Sequence, residues 1–290
     1  MVTAVIRLIG AEMFKMRKRS MTRILLYILV AIIVVLYLVL LAISKVNLPT
    51  NTGVHPGTIQ NVLGLPIALP VTMYILSYFG CVLSIILAAS SVGSEYNWRT
   101  MRSAVVSSES RFKLLTAKLI SAAIYVLIGM AIGLVVGFIM SLITTAIGGY
   151  KFDFNFMTGG YLWDQFLQFC RTFFVIMPYS LLGFMFAILG RSAMPGIASG
   201  IGIFFLEQFI VSFMYLAKGW IAKIPDYLLY ANQQAITALA KLPKGFSGGG
   251  NGGFTVTFPG AAHAFIVLSI YSVVFLVIAY YLFKKRDVTG

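Results

Sequence analysis

The sequence predicts an all-α polytopic membrane protein with six transmembrane helices. Of its 290 residues, 60% are hydrophobic and only 10% charged, and the mean hydropathy is +0.94. The apolar residues also gather into six runs, each close to the roughly 20 residues that a helix needs to cross a bilayer. A soluble domain carries roughly 25% charged residues, so this composition excludes a soluble enzyme and a disordered chain. The net charge of +14 would point to nucleic acid in a polar chain. In one this apolar it marks loops on the cytoplasmic side of a membrane. The expected partner is therefore the lipid bilayer and not a nucleic acid.

The whole chain, residues 1–290, reads as a single transmembrane domain. Residues 1–23 come before the first span. Val5, Ile6, Ile9, Met13 and Met16 share one helical face there, while Arg7, Lys15, Lys18 and Arg19 lie mostly off it. This pattern predicts an interfacial amphipathic helix on the cytoplasmic side; a plain basic flank that orients the first span is the simpler alternative. Spans are predicted over 24–43, 66–92, 119–143, 172–189, 195–217 and 262–283. Pro66 and Pro70 fall at the start of the second, where a missing backbone donor is tolerated. Tyr161 and Trp163 precede the fourth, with Asp164, Gln168 and Arg171 on one helical face as an interfacial approach to it. The longest loop, 218–261, contains the Gly-rich stretch 245–253, a flexible connector.

Charge sets the orientation. Fifteen of the 22 Lys and Arg residues lie before span one, between spans two and three, at Arg191 or in the C-terminal tail. That excess predicts both termini and the 2–3 loop in the cytoplasm, with the 218–261 loop extracellular.

Small residues set the packing. Gly129, Gly133 and Gly137 recur every four residues in span three, and Gly196 and Gly200 repeat the pattern in span five. Such stripes let a second helix approach closely.

Groups able to do chemistry are scarce. His55 and His263 are the only histidines, and the eight acids do not cluster. No phosphate loop of the Gly-x-x-x-x-Gly-Lys-Ser/Thr type occurs, so no catalytic, metal or cofactor site is expected in this chain. Cys81 and Cys170 read as small buried hydrophobes. Glu207 is the one acid well inside a span. An intramembrane carboxylate is by default a proton, cation or substrate site; the alternative is a protonated Glu bonded to a neighbouring Tyr or Ser.

The 2–3 loop is the most informative segment. Trp98, Met101 and Val105 follow helical spacing with Arg99 off their stripe, so a short helix there could lie in a groove on a cytoplasmic partner or rest on lipid headgroups. Glu95, Arg102 and Arg111 would orient it through charge pairs or helix-end interactions.

At these residues the chain resembles the permease subunits of type-2 ABC exporters. The shared features are Glu95 leaving span two, Thr100-Met101-Arg102, Ser110-Arg111, Lys118 entering span three, the opening Glu12-Met13-Phe14-Lys15 and the ending Phe283-Lys284-Lys285-Arg286-Asp287. Arg99 stands where the family usually has Gly. The resemblance implies a multi-pass permease in a bacterial cytoplasmic membrane, paired with a second permease subunit, identical or related. It also implies a separate ABC ATP-binding subunit that holds ATP and Mg. The 2–3 loop would then be the coupling helix. The apolar interior favours an amphiphilic cargo such as a hydrophobic peptide, an antibiotic or a lipid-like compound, and antimicrobial peptide resistance is one role by analogy. The rival expectation is an ATP-independent secondary transporter or channel that uses Glu207.

Overall fold

The computed structural model describes residues 2–45, 63–65, 67–98, 100–101, 110–148, 157–216, 219–240 and 259–285. Eight α-helices follow one another, with no strand among the described residues: α1 Val2–Lys18, α2 Ser20–Lys45, α3 Ala68–Asn97, α4 Arg111–Gly148, α5 Gly159–Leu189, α6 Ala193–Leu216, α7 Leu229–Thr237 and α8 Ala261–Lys285. A 3-10 segment, Gly219–Tyr227, leads into α7. Helices α2 to α6 and α8 are long and apolar enough to cross a membrane. The protein is an all-helical polytopic membrane protein.

Every spanning helix is longer than the apolar run that predicts it, although α3 starts two residues later than predicted and α6 ends one residue earlier. Residues 24–43 become a helix of 26 residues, and 119–143 lie within one of 38. The reason is local: once a span is helical, flanking Ser, Thr, Lys and Arg extend it at little cost into headgroup and water. Residues 1–23 divide at Arg19, between α1 and α2.

Helices α3 and α5 form the centre. Helix α3 packs against α2, α4, α5 and α6, and α5 also meets α6 and α8. Helices α2, α6 and α8 keep most of their apolar surface facing outward, as lipid-facing helices do. The six crossings bring the start of α2, the end of α3, the start of α4, the α5–α6 link and the end of α8 to one end of the bundle. Contacts between them show it: Thr116 and Tyr280 hydroxyls lie 2.7 Å apart, and Gly93 abuts the backbone of Ser192 and Ala193. We call this the basic end.

The α5–α6 link is a three-residue reversal, Gly190, Arg191 and Ser192, closed by Ser192 N–H donating to Ala187 O (3.2 Å) and Arg191 N–H to Ile188 O (3.3 Å). This pair of hydrogen bonds requires a left-handed residue after the helix. Arg191 supplies it, at φ 50°, where glycine is the usual choice.

The glycines of α4 lie against α2 and α3. A Cβ on Gly133 would fall 2.6 Å from Leu76 Cδ2 and 3.3 Å from Ile33 Cδ1, and one on Gly137 would overlap Thr72. Gly129 is looser, with Leu29 at 3.8 Å. Gly196 and Gly200 bring α6 onto α3 and α5: a Cβ on Gly196 would meet Ala187, Ala89 and the Gly183 carbonyl at 2.7–2.8 Å, and one on Gly200 would meet Ile85. Gly93 on α3 and Gly183 on α5 make equally close approaches, although neither belongs to a repeating stripe.

One predicted loop is corrected. Over 219–240, the segment expected within extracellular loop 218–261 is folded. Every residue of α7 except Tyr230 is buried, against α5, α6, α8 and the 3-10 segment. It dips back into the bundle from the end opposite α1, and Gln233 Nε2 reaches the carbonyl of Ser77 inside α3 (3.1 Å). Backbone amides at such depth need protein partners, and the helix satisfies most of them itself.

We expect Gly129→Ala to leave thermal stability in detergent nearly unchanged. Gly196→Leu and Gly133→Leu should each cost about 1–3 kcal/mol or more, because overpacking forces backbone apart. Equal melting of the three variants would show that these contacts are not tight.

Candidate functional site

The basic end holds a buried ion cluster built from three separate stretches of chain. Helix α1 contributes Glu12 and Lys15, the break before α2 contributes Arg19, the last turn of α3 contributes Glu95, and α4 contributes Lys118. Lys118 is 1% exposed, yet its Nζ lies 2.7 Å from Glu95 Oε1 and 2.8 Å from Glu12 Oε2. Lys15 Nζ bonds Glu12 Oε1 at 2.7 Å and lies 3.4 Å from Glu95 Oε1. Arg19 Nη2 approaches Glu95 Oε1 at 3.6 Å, while its Nη1 donates to the carbonyls of Ser90 and Ser91, each 3.2 Å away.

Local sequence explains the assembly. On α1 the face that meets α4 runs Ile9, Glu12, Met13, Met16. The predicted apolar face therefore has a carboxylate at its middle, and Ile6, predicted on that face, is exposed. Ser121 Oγ donates to Ile9 O (3.4 Å) and Tyr125 OH to Met13 O (3.0 Å), which fixes α1 along α4. Lys118 then has Glu12 on one side and Glu95 on the other. Two acids and three bases leave a net positive cluster.

Burial alone would raise the Glu12 pKa. The charge and hydrogen bond of Lys118, joined by those of Lys15, outweigh it and hold the pKa below the usual carboxylate value of 4.5. Burial pulls Lys15 the other way, but Glu12 and then Glu95 hold its pKa above 10.5. The Glu12 contribution to stability is complete above the unfolded carboxylate pKa and is lost as pH falls through the lower folded value. The Lys15 contribution is lost only as pH rises through its raised value.

The residues expected to touch an ATPase are placed differently from one another. Glu95 lies within α3 and is buried, one oxygen in the cluster and Oε2 without a partner. Trp98 caps α3, is 64% exposed, and carries the Arg19 guanidinium 5.5 Å from its ring centroid. Met101 is buried at 2% and belongs to the core, so it does not share an outward face with Trp98. Arg111 opens α4. Arg99, Arg102 and Val105 lie outside the described residues.

Glu207 in α6 caps another helix. Its Oε2 accepts from Tyr230 N (3.2 Å) and its Oε1 from Leu229 N (3.4 Å), the first two amides of α7. The N-cap residue Leu228 has no side chain able to do this. Gln208, beside it, meets the Tyr78 hydroxyl of α3. The sequence places Glu207 at mid-span and gives no sign of a backbone partner, because nothing in 219–240 marks a helix that dips inward. Cys81 and Cys170 are both free, the first buried and the second exposed, and no metal-binding cluster occurs among the described residues.

Six spans, an amphipathic helix locked to the bundle by buried ion pairs, and an inward-dipping helix capped by an intramembrane carboxylate define a polytopic α-helical membrane protein. The chain belongs to the DUF2705 family, described as a protein of unknown function, whose model matches residues 53–289. It is similar to the uncharacterized protein YhcI of Bacillus subtilis (strain 168), 26% identical over 219 residues that cover 72% of this chain and 64% of that protein. The match thus spans less than two thirds of that relative's length.

Lys118→Met should destabilise the folded protein by up to about 3–5 kcal/mol, because it removes the buried countercharge that Glu12 and Glu95 share and leaves them only Lys15 and Arg19. Adding Glu12→Gln and Glu95→Gln should recover much of the loss. The check is thermal unfolding in detergent followed by tryptophan fluorescence; no recovery in the triple variant would refute charge as the cause. Separately, Glu207→Leu should free the N-terminus of α7 and speed hydrogen exchange at the Leu229 and Tyr230 amides, whereas Glu207→Gln, which keeps one acceptor, should preserve most of the protection.

Proposed function

We propose that this chain is the membrane-spanning permease subunit of an ATP-driven ABC exporter. In this reading it moves a hydrophobic or amphiphilic compound out of the cell, and ATP is hydrolysed on a separate chain. The observation that carries it is Trp98: a large aromatic, exposed at the basic end and braced from behind by Arg19 and the ion cluster. Exposed aromatics on rigid supports are the usual anchors of protein interfaces. A permease without a phosphate loop needs one such contact to receive motion from its ATPase. The +14 charge and its concentration at this end support a cytoplasmic setting. The outward apolar faces of α2, α6 and α8 offer room for lipid and for a second permease subunit.

Glu95 then positions the contact without making it. A force on Trp98 is passed through the last turn of α3 to Glu95, and from there to α1 and α4 together. The rival reading, secondary transport through Glu207, draws less support. Both oxygens of that carboxylate accept backbone amides of α7, a positioning task.

The test is co-expression with candidate ABC-type ATPases from the same organism. This chain and one of them should purify together, and hydrolysis should rise with an amphiphilic cargo. Trp98→Ala should weaken ATPase binding by about 2 kcal/mol, roughly 30-fold, with Lys223→Gln as an unaffected control. Failure to retain any ATPase, or full binding by Trp98→Ala, would overturn the reading.

A further inference from the structure

Between α2, α3 and α4, on the half of the bundle nearer the basic end, lies a largely apolar cavity of about 520 Å³. Leucines of α2 and α3, Val126 and Met130 of α4 and Ile176 of α5 form most of its wall. Three small residues make the space: Gly80 and Ser84, one turn apart on α3, and Gly129 on α4. The glycines of α4 show why it opens at this level. At Gly137 and Gly133 α4 is pressed against α3, whereas a Cβ on Gly129 would meet only Leu29, at 3.8 Å. The helices part towards the basic end.

The cavity has the length of one acyl chain. It runs along α3 from Leu87 to Leu76, roughly 16 Å at the rise of an α-helix, and one leaflet contributes roughly 15 Å of hydrocarbon. Thr22, Leu26, Leu83, Tyr125 and Gly129 line it and are only part-buried, so it opens on the surface of the bundle. Its three main helices are membrane-spanning, and lipid meets that opening. Protein interiors pack as densely as organic crystals; a space of this size beside lipid takes up lipid.

The end towards water is polar and positive. Thr22 and Tyr125 line it, and the Tyr125 hydroxyl donates to Met13 O on α1 (3.0 Å). Arg17 lies one turn beyond Met13 on α1, and its charge acts on that hydroxyl. The Arg17 side chain is exposed and makes no ion pair or hydrogen bond among the described residues. Nearby on α1, the Lys18 ammonium lies 5.7 Å from the ring centroid of exposed Phe14, a pairing suited to headgroup depth. The carboxylates of this end, Glu12 and Glu95, are buried and already held by Lys118, Lys15 and Arg19. Among the described residues the rim thus offers a guanidinium fork to a phosphate and no free carboxylate to an ammonium. We infer that the cavity holds one acyl chain of an anionic phospholipid of the phosphatidylglycerol type, with its phosphate on Arg17. The site is independent of the exporter reading.

The test uses the full chain in nanodiscs of equal phosphatidylglycerol and phosphatidylcholine, released into detergent, with native mass spectrometry counting the lipids retained. Phosphatidylglycerol should stay bound about tenfold over phosphatidylcholine, as one hydrogen bond between charged groups would give. Arg17→Gln should bring that ratio to about one, whereas Lys285→Gln, an exposed cation on α8 at the same end, should leave it unchanged. Gly129→Leu directs its added carbons into the cavity and should lower retention of both lipids about tenfold. Equal retention of the two lipids by the native chain, an unchanged preference in Arg17→Gln, or the same loss in Lys285→Gln would overturn the headgroup contact. Unchanged retention in a stably folded Gly129→Leu would overturn the acyl-chain site; if that variant melts early, Arg17→Gln decides the matter. Glycerol phosphate, the same headgroup chemistry without chains, should fail to displace the lipid at equal concentration, and displacement would overturn the membrane source.

Discussion

Lys118 is the constraint on which the rest of the basic end depends. An ammonium buried to 1% exposure is stable only when countercharges meet it at hydrogen-bond distance, since an unpaired buried charge costs several kcal/mol. Glu12 and Glu95 meet it from two other helices. That requirement forces α1 to lie along α4, places the last turn of α3 beside both, and leaves Trp98 on the outer side of the junction. An ion triad of this kind contributes less to net stability than an apolar cluster of the same volume would. What it adds is register, because the three helices can slide or rotate only by breaking a bond to a charge.

The opposite end is organised by polar groups as well, but there they act on backbone. Glu207 satisfies the first amides of α7, and Gln233 reaches a carbonyl of α3. These bonds let a short helix sit among spanning helices without exposing unpaired donors to lipid. The two ends are joined by the centre of the bundle, where glycines on α4 and α6 bring those helices tightly against α3 and α5. Close backbone contact in the middle and charged or capped junctions at each end make α3 the element through which any displacement at Trp98 would pass.

The sequence by itself determined the helical class, the number of spans, the small-residue stripes of α4 and α6 and the unusual character of Glu207. Each is written in local composition or in a repeat of 3.6 residues, and the length of a bilayer crossing leaves few alternatives. Only the tertiary structure decided what those residues do. Glu12 and Lys118 are separated by more than a hundred positions, and no periodicity links them; they meet because α1 folds back on α4. Met101 shares helical spacing with Trp98 yet turns into the core, since the chain bends at the end of α3. Residues 219–240 read as loop because their apolar run is too short to span. They dip inward only because Glu207, on another helix, supplies the cap that their own sequence lacks. Sequence fixes what must be buried, but which partner meets a buried polar group is settled by packing alone.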